Sequence, residues 1–211
     1  MKVLELFSGT GSIGKVAKAM GYSVISLDLL MPADIQEDIM HWDYQQWPPG
    51  SFDYIHASPP CAEFSRAKTT GVRKLDEANA IVKRTLEIIK YFKPLYWTME
   101  NPQTGLLKDQ EYMNKYAFVD TDYCRYGLPY RKRTRIWCNM PHLLNLPLCN
   151  RDCGSMDGKR HIQTAQRMPQ GKKETWGDKQ CFSQGQLYVI PEGLVKQILE
   201  ALSKDWLSQH C

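Results

Sequence analysis

The apolar positions of this chain follow two rhythms in turn. Short runs rich in β-branched and aromatic residues (Val3 to Phe7, Ser23 to Leu27, Phe52 to Ala57, Leu95 to Met99) read as strands. Between the first two, Ile13, Val16, Ala17 and Met20 recur at spacings of three and four, with Gly21 where a helix C-terminus needs a left-handed residue. Leu75 to Phe92 is the clearest helix, with Ala78, Ile81, Val82, Thr85, Ile88, Ile89 and Phe92 on one stripe and Pro94 closing it. Residues 103–116 mix helical and loop character. Ala117 to Cys124 alternates as a strand, Tyr126-Gly127-Leu128-Pro129 turns the chain, and strand character returns from Thr134 to Trp137. Periodicity is lost from Asn139 to Gln184 and comes back in an amphipathic helix, Pro191 to Leu207, with Leu194, Val195, Ile198, Leu199 and Leu202 on one side. Alternating strands and helices predict an α/β sheet with its chemistry at the C-terminal strand ends.

Those ends carry distinctive residues. The first strand runs into Phe7-Ser8-Gly9-Thr10-Gly11-Ser12-Ile13-Gly14, and the second ends at Asp28-Leu29. Glycines let the backbone approach a ligand, a helix start offers free N–H groups, and an acid at the next strand tip accepts hydrogen bonds from ribose hydroxyls. The pattern fits NAD, FAD and S-adenosylmethionine (SAM) alike; no Gly-Lys-Ser/Thr follows, which excludes a Walker phosphate loop. Asp38-Ile39 and Trp42-Asp43 are candidates for holding an adenine. The third strand meets Ser58-Pro59-Pro60-Cys61-Ala62-Glu63-Phe64-Ser65, where two prolines stop it and leave a thiol at its mouth. Residues 62–73, with Arg66, Lys68 and Arg73, form a long basic loop, either a substrate lid or a solvated segment. The fourth strand delivers Glu100-Asn101-Pro102. Arg131, Lys132, Arg133 and Arg135 crowd together, which reads as an exposed basic edge strand or as a phosphate contact.

Composition adds bounds. At 211 residues one domain with a substantial core is expected. A net charge of +4 permits a polyanionic partner without requiring one. Seven scattered cysteines, a strand-like N-terminus and no transmembrane-length apolar run predict a soluble protein of a reducing compartment. That is the cytoplasm of a bacterial or phage-infected cell, with a nuclear location also compatible. Cys138, Cys149, Cys153 and His161 offer Zn²⁺ ligands, at a spacing unlike a standard finger.

A thiol, a carboxylate and a guanidinium beside SAM have a natural use. Carbon-5 of cytosine is a poor nucleophile until a thiolate adds at carbon-6. A carboxyl group at N3 and a guanidinium at O2 would hold the charge that develops on the ring. A base inside a duplex must be flipped out to reach them. The residues resemble the cytosine-5 DNA methyltransferase family. Leu6-Phe7-Ser8-Gly9-Thr10-Gly11 is similar to its SAM loop, Asp28 to its ribose acid and Asp38-Ile39 to its adenine-contacting pair. Ser58 to Ser65 is similar to its Pro-Pro-Cys-x-x-Phe-Ser nucleophile motif, and Glu100-Asn101 to its Glu-Asn pair, with Pro102 where Val is usual. Tyr126-Gly127-Leu128-Pro129 with Arg133-Thr134-Arg135 resembles its Gly-Val-Pro-Gln-x-Arg-x-Arg motif, with Tyr130 in place of Gln and one extra residue before Arg133.

The resemblance implies a Rossmann-like, mostly parallel seven-stranded sheet with helices on both faces. It implies Cys61, Glu100, Arg133 and Arg135 as catalytic residues. Phe7 to Ser12, Asp28, Leu29, Asp38, Ile39 and Pro59 are implied around SAM, and DNA as the partner. Residues 1–139 form the expected catalytic core, 140–185 a reduced and conceivably zinc-binding recognition segment, and 186–211 a C-terminal helix packing back on the core. The family's Gln-x-Gly-Asn segment is replaced by Gln184-Gly185-Gln186-Leu187-Tyr188, which has no Asn. A monomer is expected, with a protein partner conceivable for target recognition. The rival readings are an RNA cytosine-5 methyltransferase, an NAD-dependent oxidoreductase and an inactive SAM- or DNA-binding module.

Overall fold

A computed structural model of the protein describes residues 1–163, 165, 182 and 184–210. Within the sequence span expected to hold the recognition segment, residues 164, 166–181 and 183, including Lys172 and Lys173, lie outside the described residues. Seven strands form one sheet: β1 (Lys2–Leu6), β2 (Ser23–Asp28), β3 (Ile35–Gln36), β4 (Tyr54–Ala57), β5 (Tyr96–Pro102), β6 (Phe118–Asp122) and β7 (Arg133–Cys138). Their order is β3-β2-β1-β4-β5-β7-β6. Pairing is parallel from β3 through β5, and β7 runs antiparallel between β5 and β6. The basic strand is therefore interior, not the exposed edge that its charge pattern allowed; β3 and β6 are the edges.

The strand order turns at β1, with β2 on one side and β4 on the other. A crevice opens at such a switch point, beyond the carboxyl ends of the strands. Side chains alternate across the sheet as the pleat requires. Leu4 and Leu6 join Leu27, Ile55, Met99 and Trp137 in a core with Val82, Ile88 and Phe92 of α2 (Leu75–Phe92). Val3, Val24, Tyr54 and Ile136 join the other core, with Ile13 and Ala17 of α1 (Ser12–Ala19). Each such buried side chain contributes about 1.5–3 kcal/mol.

The aperiodic stretch after β7 holds a small hairpin, β8 (Met156–Asp157) and β9 (Arg160–His161). A short helix α3 (Gln184–Tyr188) precedes α4 (Glu192–His210). Leu194, Val195, Ile198, Leu199 and Leu202 of α4 are buried in the α1-side core, and the Tyr96 hydroxyl donates to Asp205 Oδ2 at 2.6 Å. The strand expected through Cys124 stops at Asp122 and gives way to a 3-10 turn, Tyr123–Tyr126. No helix among the described residues is long and apolar enough to cross a membrane.

Candidate active site

The loop leaving β1 is shaped by its backbone. Phe7, Gly9 and Gly11 all have positive φ (59°, 51° and 69°), which is routine for glycine and strained for Phe7. Asp28 organises the neighbouring tip. Its Oδ2 accepts from the Gly9 amide, and its Oδ1 from the amides of Leu30 and Met31, each at 2.8 Å. Gly14 packs where no side chain fits, because a Cβ there would stand 2.7 Å from Glu5 Oε2. Glu5 lies under the start of α1 and accepts from the amides of Ile13 (3.0 Å) and Gly14 (2.9 Å). Burial outweighs those bonds and pushes its carboxyl up to about 7.

A hollow of about 490 Å³ opens between this loop and the chain entering α4, lined by Thr10, Ser12, Lys15 and Ile190. The Ser12 hydroxyl accepts from the Ile190 amide at 3.2 Å and ties the two segments together. Leu29, Leu30 and Met31, which follow Asp28 at the β2 tip, are exposed, as is Met40. Ile39 is buried, and the Asp38 carboxylate accepts from the Met40 amide at 2.9 Å. Trp42 is a core residue, and Asp43 caps a turn at the Gln45 amide. An uncharged glycine loop of positive φ and the exposed apolar side chains at the β2 tip fit an adenosine-type cofactor.

Two strand tips along, the nucleophile motif closes over the sheet. Pro59 and Phe64 are buried while Cys61 stays partly accessible. Asn101 Nδ2 donates to the Pro59 carbonyl (2.9 Å), and the Leu106 amide donates to the Phe64 carbonyl (2.8 Å), clamping the loop to the end of β5. Asn101 Oδ1 is buried with no hydrogen-bond partner among the described residues. The basic loop of residues 62–73, read as a substrate lid or a solvated segment, is tied by its own arginines. Arg73 donates to the carbonyls of Glu63, Ser65 and Lys68, and Arg66 reaches the Thr104 carbonyl and Asp109.

Glu100 is almost fully buried and bound on one oxygen by two groups. The Tyr123 hydroxyl donates to its Oε1 at 3.0 Å, and Lys132 Nζ stands 3.6 Å from the same atom. Lys132 also lies 4.7 Å over the Tyr123 ring and donates to the Leu187 carbonyl of α3 at 3.1 Å. Burial pushes the Cys61 thiol above its ordinary value, the Glu100 carboxylate adds to the rise, and Lys132 opposes both. A second polar chain runs beneath the motif. Tyr54 and His56 both bond Thr98 Oγ1 (2.6 and 2.8 Å), and His56 Nε2 meets Ser58 Oγ at 2.9 Å. Burial drives His56 down to about 3, so its ring is neutral.

Cys61 opens into a cleft of about 950 Å³. Seven of its described lining residues are Arg or Lys, Lys132, Arg133, Arg151 and Arg160 among them, and none is Asp or Glu. That wall suits a polyanion.

A family model of C-5 cytosine-specific DNA methylases matches residues 1–126. The chain belongs to this family. It is 30% identical over 222 aligned residues to a Frog virus 3 (isolate Goorha) protein named "Probable DNA (cytosine-5)-methyltransferase", spanning 95% of this chain and 99% of that one. It is 26% identical to the type II methyltransferase M.AgeI of Thalassovita gelatinovora over 63% of this chain and 38% of that protein. Among solved structures it is similar to a DNA modification methyltransferase encoded within an E. coli prophage, with 20% identity and a TM-score of 0.49 over 65% of this chain and 46% of that one. The chain thus spans about half the length of that solved structure.

In this methylase the two arginines of the β7 motif do not meet Glu100. Antiparallel partners share a face of the sheet, and the register sets Arg135 opposite Asn101 and Asp120, with Ile136 opposite Glu100. Arg135 forks onto both oxygens of Asp120 (2.8 and 2.9 Å) and stacks 3.5 Å from the Phe118 ring centre. Arg133 is exposed at the cleft. The cation at Glu100 is Lys132. The metal-ligand expectation also needs one exchange. Cys138 is 1% exposed in the α1-side core, while Cys124, Cys149, Cys153 and His161 converge. Tyr123, Lys132 and Cys124 were thus missed. The one signal for Cys124 was its chemistry, and nothing in the spacing of Tyr123 or Lys132 set them apart.

Proposed function

We propose that this methylase transfers a methyl group from SAM to carbon-5 of cytosine in DNA, through a covalent Cys61–carbon-6 adduct on a base turned out of the duplex. The observation that carries the reading is the meeting of Cys61, Glu100 and Lys132 at the head of a cation-lined cleft, with the glycine loop opening at the nearby β1 tip. Phe7 to Ser12, Asp28, Leu29, Asp38, Ile39 and Pro59 would hold SAM by backbone amides and apolar contact. Bound there, SAM supplies an electrophilic methyl group.

Cys61 gives up its proton to solvent and its sulfur bonds carbon-6 as the carbon-5–carbon-6 double bond opens toward N3, which makes carbon-5 enamine-like. N3 takes up a proton as this happens and donates it in a hydrogen bond to Glu100, so the ring carries no net charge. Tyr123 and Lys132 bind the Glu100 oxygen Oε1 and fix the direction of the carboxyl group. Once carbon-5 is methylated, it loses its proton to solvent, the carbon-5–carbon-6 double bond re-forms and the carbon-6–sulfur pair leaves with Cys61. Arg133 and the other cations of the cleft would take the DNA backbone. Residues 1–139 would form the catalytic core, 140–185 the recognition segment and 186–211 the helix that completes the cofactor wall.

Incubation with SAM and a duplex carrying 5-fluorocytosine tests this reading, because fluorine blocks the final elimination. A covalent protein–DNA species is expected with the wild-type chain and none with Cys61→Ser. An adduct on RNA alone would move the substrate to RNA. Absence of an adduct on both would mark the chain as a binding module.

A further inference from the structure

The second constellation of this molecule is the group of three cysteines and a histidine beyond β7. Cys124 comes from the 3-10 turn after β6, Cys149 and Cys153 from the following loop, and His161 from β9. Their four ligand atoms all lie within 4.8 Å of one another. His161 Nε2 stands 3.5 Å from Cys149 Sγ and 3.4 Å from Cys153 Sγ. A tetrahedron with Zn–S bonds of about 2.3 Å and a Zn–N bond of about 2.0–2.1 Å has S···N edges of about 3.5 Å. The Arg151 amide donates to Cys149 Sγ at 3.4 Å, with Arg151 itself at a positive φ of 67°. Asp122, fully buried, accepts from the Cys149 amide (2.9 Å) and from both arms of Arg131 (2.9 Å each), which pins the loop to the end of β6.

We propose that Cys124, Cys149, Cys153 and His161 bind one structural Zn²⁺, and that this ion fastens a basic hairpin across the mouth of the Cys61 cleft. The hairpin has almost no apolar surface of its own to bury. Its strands are two residues each, and Asp157, Lys159 and Arg160 are exposed. A segment of that kind needs a staple to hold one conformation. On binding, three thiols release their protons to solvent and neutral His161 keeps its own. The ion would join two walls. Cys124 directly follows Tyr123, whose hydroxyl holds Glu100, while Arg151, Lys159 and Arg160 line the cleft. Cleft and carboxylate are thus tied to one metal. The metal assignment stands without the methyl-transfer reading; the claim that the hairpin grips DNA rests on it.

Elemental analysis of the intact protein, purified without chelator, is expected to give one zinc per chain. Co²⁺ exchanged into the site is expected to give the visible absorption of a tetrahedral sulfur-rich centre. Cys124→Ser is expected to lose the metal, and Cys138→Ala to keep it. Metal-free wild-type protein, or zinc retained in folded Cys124→Ser, would overturn the assignment; so would an octahedral Co²⁺ spectrum, a readout that does not depend on any variant folding. Chelation is expected to weaken DNA retention at least tenfold while SAM still raises Tm. Unchanged DNA retention in demetallated protein would overturn the coupling to the cleft. Failure of 5-fluorocytosine trapping with zinc still bound would count against the methyl-transfer reading alone.

Discussion

The cofactor end and the target end of this sheet are built from different materials. Around β1 and β2 the chain works mainly through backbone. Positive φ angles shape the loop, amides converge on Asp28, and Gly14 is held to a hydrogen atom by the space available. Around β5 and β7 it works through ionised and ionisable side chains, with Glu100 beside Tyr123, Lys132 and Cys61 and adding to the rise of the Tyr123 hydroxyl and the Cys61 thiol. The difference teaches where substitutions bite. Backbone sites tolerate side-chain changes until one adds a Cβ in a closed space; charge sites fail when one sign is removed although the shape is kept.

The largest effect is expected at the charged end. Glu100→Gln keeps the shape and removes the charge, and is expected to slow methyl transfer by about 10²–10³-fold. The same variant is expected to alkylate faster at Cys61 with iodoacetamide, since the carboxylate that raises the thiol has gone. Slower alkylation, read on the Cys61 peptide by mass spectrometry, would contradict the electrostatic account.

The cofactor end holds one buried ionisable group, Glu5, and its expected signature is in pH. Its carboxyl titrates near 4.5 when unfolded and near 7 when folded, so the folded state binds the extra proton between those values. The stability contributed by Glu5 is therefore fully present below the lower value and is lost as pH rises to 7, by on the order of 3 kcal/mol. Glu5→Gln is expected to flatten that fall in Tm measured from pH 5 to 8; an unchanged slope would remove Glu5 as its source.

Gly14→Ala places a methyl group against Glu5 Oε2 and 3.4 Å from Val24 Cγ1. It is expected to cost about 1–3 kcal/mol and to weaken SAM binding, with Cys61 alkylation unchanged. The smallest contrast separates two cations on opposite faces of β7. Lys132→Met is expected to slow methyl transfer about tenfold. Arg135→Lys gives up a forked pair with Asp120 and is expected to lower Tm while leaving the rate of a saturated reaction near wild type. A rate loss larger in Arg135→Lys would return the guanidinium to the active site.

Much of this arrangement was legible in the residues. α2 runs from Leu75 to Phe92 as its stripe predicts, and Gly21 follows α1 with a φ of 82°. The motif at Cys61 and the acid at the end of β5 come together as their strand-end positions imply. What was not legible depends on parity and on contact across distant segments. One residue of offset sends a side chain to the opposite face of a strand, and the motif carries an extra residue just before Arg133. No local pattern says that Lys132, and not Arg135, shares a face with Glu100. Cys124 sits inside an alternating run that looks like strand, and its turn is seen only once Cys149, Cys153 and His161 approach it. β3, at two residues, is shorter than any window of periodicity.

The protonated resting state of Cys61 has a consequence for durability. Peroxide and disulfide reagents attack thiolates, so cysteines with depressed pKa values are the ones cells lose to sulfenic acid. Here burial and the Glu100 carboxylate push the Cys61 thiol up, toward the form that oxidants attack least. A thiol held up in this way is expected to outlast a low-pKa cysteine under the same peroxide challenge.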